Sequence, residues 1–313
     1  MEKSIYLSLV VPCFNEQDNV KLFFDEVNRV FDGKVHDYEF VFVNDGSRDK
    51  TYERLNEIYE SNPESNIQVI HFSRNFGKEA AIYAGMSNAK GDYLCLIDAD
   101  LQQRPEVVLK MLEEIEADSS VDCVTAFQED RSESKLMIKA KSGFYKVISK
   151  MSDIEFKNGA SDFRLLNRKM TDAILEMTEY HRFSKGLFAW VGFNTKFIPY
   201  VAEERETGTS KWNTGKLIKY ALEGIISFST VPLKLSTVVG FLSSVASIVY
   251  LLVVIIQKLA FGINVPGYAT IVVLLLLIGG IQLFCLGILG EYLSKIYLQV
   301  KNRPVYIIKD HLQ

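Results

Sequence analysis

Between Ser4 and Thr125 the chain switches repeatedly between two hydrophobic periods. Short runs of Val, Ile, Phe and Leu ("YLSLVVP", "YEFVFVND", "IQVIHFS", "DYLCLIDAD", "VDCVTAF") alternate with segments whose apolar residues recur every three or four positions ("QDNVKLFFDEVNRVF", "DKTYERLNEIYES", "KEAAIYAGMSNA", "PEVVLKMLEEIEA"). The runs predict strands and the periodic segments amphipathic helices, and their alternation predicts a doubly wound α/β sheet, mostly parallel. Ligands of such sheets gather beyond the carboxyl ends of the strands. At those ends the chain carries "PCFNE", "NDGS", "SRNFGK" and "DADLQ". One such loop alone reads as a solvated turn, but four in succession describe a site.

From about Arg131 to Glu206 the periodicity weakens. "ESKLMIKAKSGFYKVISKMS" reads as a basic amphipathic helix, and "NGASDFRLLNRK" leads into a second helix from Arg168 to Thr178. The stretch from Trp212 to Phe228 sets Leu217, Ile218, Leu222, Ile225 and Ile226 against Lys216, Lys219 and Glu223, the pattern of a helix lying in a membrane interface. Beyond it the pattern becomes continuous: 22 residues from Leu235 to Ile256 carry no charge, and neither does the stretch from Leu259 to Gly290. Each is long enough to span a bilayer as a helix. Lys211, Lys216, Lys219 and Lys234 precede the pair and Lys295, Lys301, Arg303 and Lys309 follow it, while the loop from Gly262 to Tyr268 has only Lys258 at its edge. The positive-inside rule then predicts a multi-pass protein of the cell membrane with both termini cytoplasmic. The expected organisation is a cytosolic domain over residues 1–210, a juxtamembrane amphipathic helix over 211–231, two spans with a short external loop over 232–295, and a cytosolic tail over 296–313. "MEKSIYLSLVVPCFNE" reads as a first strand, its apolar stretch being too short for a signal peptide.

Composition narrows the function. At 313 residues and 48% hydrophobic content the chain can bury a large core, and a net charge of −4 argues against nucleic acid as the main partner. Phosphate, if handled, must be met locally. Cys13, Cys95, Cys123 and Cys285 are scattered singly, which fits reduced thiols and no zinc site.

The chemistry is concentrated at the end of the fourth predicted strand, where Asp98, Asp100 and Gln102 follow at alternate positions. Side chains two apart on an extended segment point the same way, and two carboxylates that close repel unless a cation lies between them. Oxygen ligands of this kind suit Mg²⁺ or Mn²⁺ shared with a substrate phosphate. Asp45 and Asn15 can hydrogen-bond a base or ribose, Gly77 allows close backbone approach, and Lys78 supplies a cation. Together these parts would hold a nucleoside diphosphate with its metal.

"VVPCFNE", "VNDGSRDKT", "SRNFGKEAAIYAG", "IDADLQQRPE", "GASDFRLLNR" and "ERETGTSKW", in this order and followed by two spans, resemble the family 2 glycosyltransferases that load a hexose onto a polyprenyl phosphate. The likeness is to the bacterial undecaprenyl-phosphate glycosyltransferases, similar to dolichyl-phosphate mannose synthases. It covers nearly the whole chain and implies a GT-A, Rossmann-like fold, a divalent metal and inverting transfer from a UDP-sugar, with glucose and N-acetylglucosamine both open. Carried over by position, Pro12, Asn15, Glu16, Asp45 and Lys78 would line the nucleotide pocket, and Asp98, Asp100 and Gln102 would hold the metal on the diphosphate. Arg131, Arg205, Ser210 and Lys211 would meet phosphate, and Asp162 would sit near the reacting centre as a base or as the residue orienting Arg164. The family often has Asp-Pro-Pro-Glu after the Gln, whereas this chain has Gln103, Arg104, Pro105 and Glu106, one carboxylate fewer beside the metal site. An ionised lipid phosphate needs no strong base to become a nucleophile, so the resemblance implies catalysis by positioning and charge neutralisation. Gly279, Gly280, Gly287 and Gly290 would let helices pack closely in a homo-oligomer. A processive polysaccharide synthase lacks support, since "QxxRW" is absent and two spans are too few for a channel. The non-catalytic alternative is a membrane sensor of nucleotide sugars, which a broken metal triad would mark.

Overall fold

The computed structural model describes residues 6–128, 160–201, 226, 229–261 and 267–313. Its centre is one eight-stranded sheet in the order β7-β5-β6-β4-β1-β2-β3-β8. The strands are β1 (Leu7–Cys13), β2 (Tyr38–Asn44), β3 (Asn66–Phe72), β4 (Tyr93–Leu96), β5 (Cys123–Gln128), β6 (Ala160–Asn167), β7 (Thr195–Tyr200) and β8 (Ile308–Leu312). β1 pairs in parallel with β2 and β4, β2 with β3, and β5 with β7. β6 runs antiparallel between β4 and β5, and β8 antiparallel along β3. Chain order reverses direction at β1, with β2 on one side and β4 on the other, so a crevice opens beyond the ends of β1 and β4.

The helices of the sheet domain are α1 (Val20–Phe31), α2 (Thr51–Ser61), α3 (Lys78–Asn88), α4 (Pro105–Ala117), α5 (Arg168–Leu175) and α6 (Ser184–Trp190). Alternation along the strands sorts their side chains into two layers. Leu7, Leu9, Val11, Phe40 and Phe42 pack with Phe23, Val27, Leu55, Val108 and Met111 of α1, α2 and α4. Val10, Val41, Val43, Ile70 and Leu94 pack on the opposite face with Ala81, Met86, Met170 and Phe188 of α3, α5 and α6. A sheet covered on both faces explains the near-continuous apolar strands. Local signals set the helix starts: Pro105 opens α4, and the Asn167 side chain caps α5 by accepting from the Met170 amide at 2.9 Å.

Two long helices, α7 (Val231–Phe261) and α8 (Tyr268–Val300), follow. Both are long and apolar enough to cross a membrane, and their windows of highest hydropathy are not buried. The first therefore runs beyond the expected Leu235–Ile256 at both ends, and the second begins at Tyr268, where the expected Gly262–Tyr268 loop ends, and continues past Gly290 to Val300. A Cβ added at Gly279, Gly280, Gly287 or Gly290 would meet nothing within 4 Å, so these glycines face open space.

The fold class and the first five strands with their helices agree with expectation, and three strands do not appear in it. β6 is buried on both faces yet carries Asp162 and Arg164, β7 contains Pro199 and lies at an edge where a missing N–H is tolerated, and β8 is charged. None shows strand periodicity. The helix expected over Arg168–Thr178 ends at Leu175. The helices expected over 133–152 and 212–228 lie outside the described residues, apart from position 226.

Candidate active site at the strand ends

The loops after β1 and β2 are tied together by the residues singled out in sequence. Asn15 takes a left-handed conformation, φ 57°, which asparagine tolerates. Its amide donates to Ser47 Oγ at 3.0 Å and its side-chain oxygen accepts from the Arg48 amide at 3.0 Å. The Glu16 amide donates to Thr51 Oγ1 at 2.8 Å, and the Glu16 carboxylate accepts from Asn19 at 2.6 Å. Pro12 lies opposite Val43 in the last turns of the parallel ladder. Asn15 and Glu16 thus shape the rim of the crevice through backbone contacts.

Asp45, at the end of β2, reaches across to the loop after β3. Its carboxylate accepts from the Phe76 amide at 2.6 Å and from the Gly77 amide at 3.0 Å. Burial lifts its pKa above the ordinary carboxylate value, with the two amides pulling against that rise. Gly46 packs so tightly here that a Cβ would come within 2.3 Å of the Arg74 carbonyl carbon, and Gly77 at φ 101° opens α3 in a conformation closed to other residues.

Lys78, the first residue of α3, extends into the crevice. Its ammonium lies 2.7 Å from Asp98 Oδ1 and 3.6 Å from Asp162. Burial opposes its charge, but Asp98, Asp162 and Asp100 together raise its pKa well above the usual lysine value. Three acids around one ammonium show that this corner is built for positive charge.

The segment from Asp98 to Gln103 reaches that corner by a route other than the expected one. β4 ends at Leu96, and Leu101 takes φ 58°, so residues 98–103 form a turn rather than a continued strand. Asp100 caps that turn, accepting from the Gln102 amide at 3.2 Å. The acids are gathered by the turn, and strand alternation plays no part. Gln103, buried behind the turn, accepts from the Asp98 amide at 2.9 Å and donates to Asp98 Oδ2 at 3.3 Å. A carboxylate in its place would lack that donor and repel Asp98. Arg104 turns away to Glu26 at 3.3 Å.

Asp162 enters from the antiparallel strand β6. Burial pushes its carboxyl up, but Lys185, Lys78 and Arg164 outweigh that and hold its pKa below the ordinary value. Lys185 has no sequence signal, being brought here by α6. That helix is pinned to α3 by Glu79, which accepts from the Ser184 amide at 3.0 Å and from its hydroxyl. Arg164 is buried against the Phe188 ring, 3.8 Å from its centroid. Asp45, Gly77, Lys78, Asp98, Asp100 and Asp162 are therefore brought together; Arg131, Arg205, Ser210 and Lys211 lie outside the described residues.

The donor set fits a hard divalent ion. The two carboxylates of Asp98 and Asp100 and the amide oxygen of Gln102 would all offer oxygen to such an ion, and the Lys78 ammonium lies 2.7 Å from Asp98 Oδ1. Among the described residues no three His, Cys, Asp or Glu side chains form a metal-binding group. Cys13, Cys95 and Cys123 are buried free thiols, and burial raises the pKa of each.

Known proteins resemble this chain along its whole length. An uncharacterized glycosyltransferase of Synechocystis sp. is 41% identical over 98% of this chain and 96% of its own length. A prophage-derived bactoprenol glucosyl transferase of Shigella flexneri is 42% identical over 97% of each chain. Among solved structures, glucosyl-3-phosphoglycerate synthase from Mycobacterium tuberculosis superposes with a TM-score of 0.47 at 16% identity, covering 71% of this chain and 78% of that one, too distant to bear on the site. The profile of the GtrB C-terminal hairpin matches residues 231–296, the helices α7 and α8. That of glycosyl transferase family 2 matches residues 8–175, every strand and loop of the crevice from β1 to α5, and the protein belongs to that family.

Proposed function

We propose that this enzyme transfers glucose from UDP-glucose to a polyprenyl phosphate, undecaprenyl phosphate in the bacterial setting, at the cytoplasmic face of the membrane. The observation that carries the reading is the full-length likeness, through both the family 2 domain and the hairpin, to proteins named bactoprenol glucosyl transferases. It favours glucose over N-acetylglucosamine. The side chosen for the active site is supported by the basic residues flanking the hairpin, and by β8, which follows α8 and pairs with β3. With both ends in one sheet, the two helices between them must leave and return on the same side.

In this reading Pro12, Asn15, Glu16 and Asp45 form the nucleotide wall, and the Phe76–Gly77 backbone that Asp45 holds brings Lys78 to the diphosphate. Bound at Asp98, Asp100 and Gln102, Mg²⁺ or Mn²⁺ supplies charge neutralisation at the departing UDP. Gln103 keeps Asp98 oriented with a neutral amide, which answers the loss of a carboxylate from the usual motif. Asp162 has its basicity reduced by three cations, which suits a residue that orients Lys185 and Arg164 toward an anionic acceptor better than a proton acceptor. Arg131, Arg205, Ser210 and Lys211 are assigned to the acceptor phosphate by family likeness.

The test is transfer of radiolabel from UDP-glucose, UDP-N-acetylglucosamine, UDP-galactose or GDP-mannose to undecaprenyl phosphate by the detergent-purified protein. Label from UDP-glucose alone should enter the lipid phase, and EDTA should stop it. Nucleotide binding without a lipid product from any donor would favour a sensor instead.

A further inference from the structure

The segment that follows α8 packs onto the back of the loop between β3 and α3. Ile307 accepts at its carbonyl from the Ser73 amide at 3.0 Å. Tyr306 stacks on Phe72, with centroids 5.0 Å apart and planes 12° apart, and Phe72 in turn meets Phe76 edge-on at 5.7 Å. The same tyrosine approaches Tyr83 at 6.2 Å. Tyr306 therefore touches the strand before the Ser73–Lys78 loop and the helix after it, and reaches Phe76 within the loop through Phe72.

The start of this segment also holds the other approach to α3. Gln299, in the last turn of α8, accepts from the Tyr180 amide at 2.8 Å and donates to the Thr178 carbonyl at 3.2 Å. From Tyr180 the chain leads directly to Arg182, over the Tyr83 ring, and to Ser184, bonded to Glu79. The stretch 299–307 thus connects α8 to α3 twice, once through α6 and once through Tyr306. An anchor serving only as a tether would need neither contact.

We infer that Tyr306 is a positioning residue for the sugar-nucleotide site: its ring fixes the loop whose Phe76 and Gly77 amides hold Asp45 and whose end is Lys78, so the chain leaving the second long helix sets the geometry of the donor pocket. This rests on the assignment of that loop to the donor nucleotide under Proposed function. A side chain acting this way affects donor binding while leaving acceptor binding alone, whereas one that merely stabilises the fold lowers both with the melting temperature.

The experiment uses the full-length protein in detergent with Mn²⁺, measuring UDP affinity by calorimetry and KM for UDP-glucose and undecaprenyl phosphate separately. Tyr306→Ala should weaken UDP binding and raise the donor KM about tenfold, within the range of such couplings, with the acceptor KM changed less than about twofold. Tyr306→Phe, which keeps the stack, should stay within about twofold of wild type in both. Tyr306→Leu retains apolar bulk without the ring and should behave like the alanine variant, providing the reading if the latter does not fold. Tyr59→Phe removes the bond to the Gln313 carbonyl at the far end of β8 and should leave the donor KM unchanged. Unchanged UDP affinity in Tyr306→Ala and Tyr306→Leu, or parallel rises in both KM values, would overturn the inference. Failure of the wild-type protein to bind UDP at all would instead overturn the donor-site assignment beneath it.

Discussion

Leu9, Val10, Val41, Phe42 and Ile70 in the sheet are 0% exposed, while Leu276, Leu283 and Phe284 in the helical hairpin are 70%, 72% and 60% exposed. The residue types are alike in the two regions. In the sheet their apolar surroundings come from helices on both faces; along the hairpin they must come from outside the sheet domain, as a bilayer would supply them. The sheet and its flanking helices and loops gather the described charged groups of the crevice, whereas the hairpin places hardly any charge along its length. One region therefore works by converging unlike groups on a point, and the other by repeating like groups over a distance.

The largest effect should come from the point. Asp98→Ala removes the partner of Lys78 and, on the proposed function, a metal ligand, and should lower glucosyl transfer about 10⁴-fold, with the protein still in the membrane fraction. Loss of membrane association in that variant would break the division of labour. Phe42→Ala in the sheet should cost about 3–5 kcal/mol of folding stability, measured by chemical denaturation in detergent. Leu276→Arg introduces a charge near the middle of the uncharged Tyr268–Gly290 stretch of α8 and should disfavour insertion by about 2.5–3.5 kcal/mol, read as release of protein by carbonate extraction. Smallest of all, Phe284→Ala should cost less than about 1 kcal/mol, because its ring contacts little of the chain. A cost matching that of Phe42→Ala would mean that this face is buried against another copy, and cross-linking would then find it.

The parallel centre of the sheet was legible because its strands are short apolar runs separated by strongly periodic helices. The site loops were legible because "NDGS", "NFGK" and "DAD" sit at consecutive strand ends. Legibility fails where position depends on partners distant in sequence. β6 hides Asp162 and Arg164 among Phe163, Leu165 and Leu166, and those polar residues fit a strand only because Lys78, Lys185 and the Phe188 ring meet them. Lys185 has no motif of its own. Asp98, Asp100 and Gln102 were picked out by an argument from strand alternation that their backbone does not follow, since Leu101 turns the chain through the left-handed region. Gln103 looked like a gap in a motif, yet its two contacts with Asp98 give it a use that no spacing rule contains.

The pairing of β8 with β3 also imposes an order on biosynthesis. β3 ends at Phe72 and its partner begins at Ile308, so both long helices must be synthesised before that strand exists. At about 5–20 residues per second the nascent sheet waits tens of seconds with one edge unpaired. An unpaired edge is a template for association with other chains. Ribosome-bound copies in which insertion of the hairpin stalls are thus the ones left open to aggregation, and the seal closes only on copies that have passed through that step.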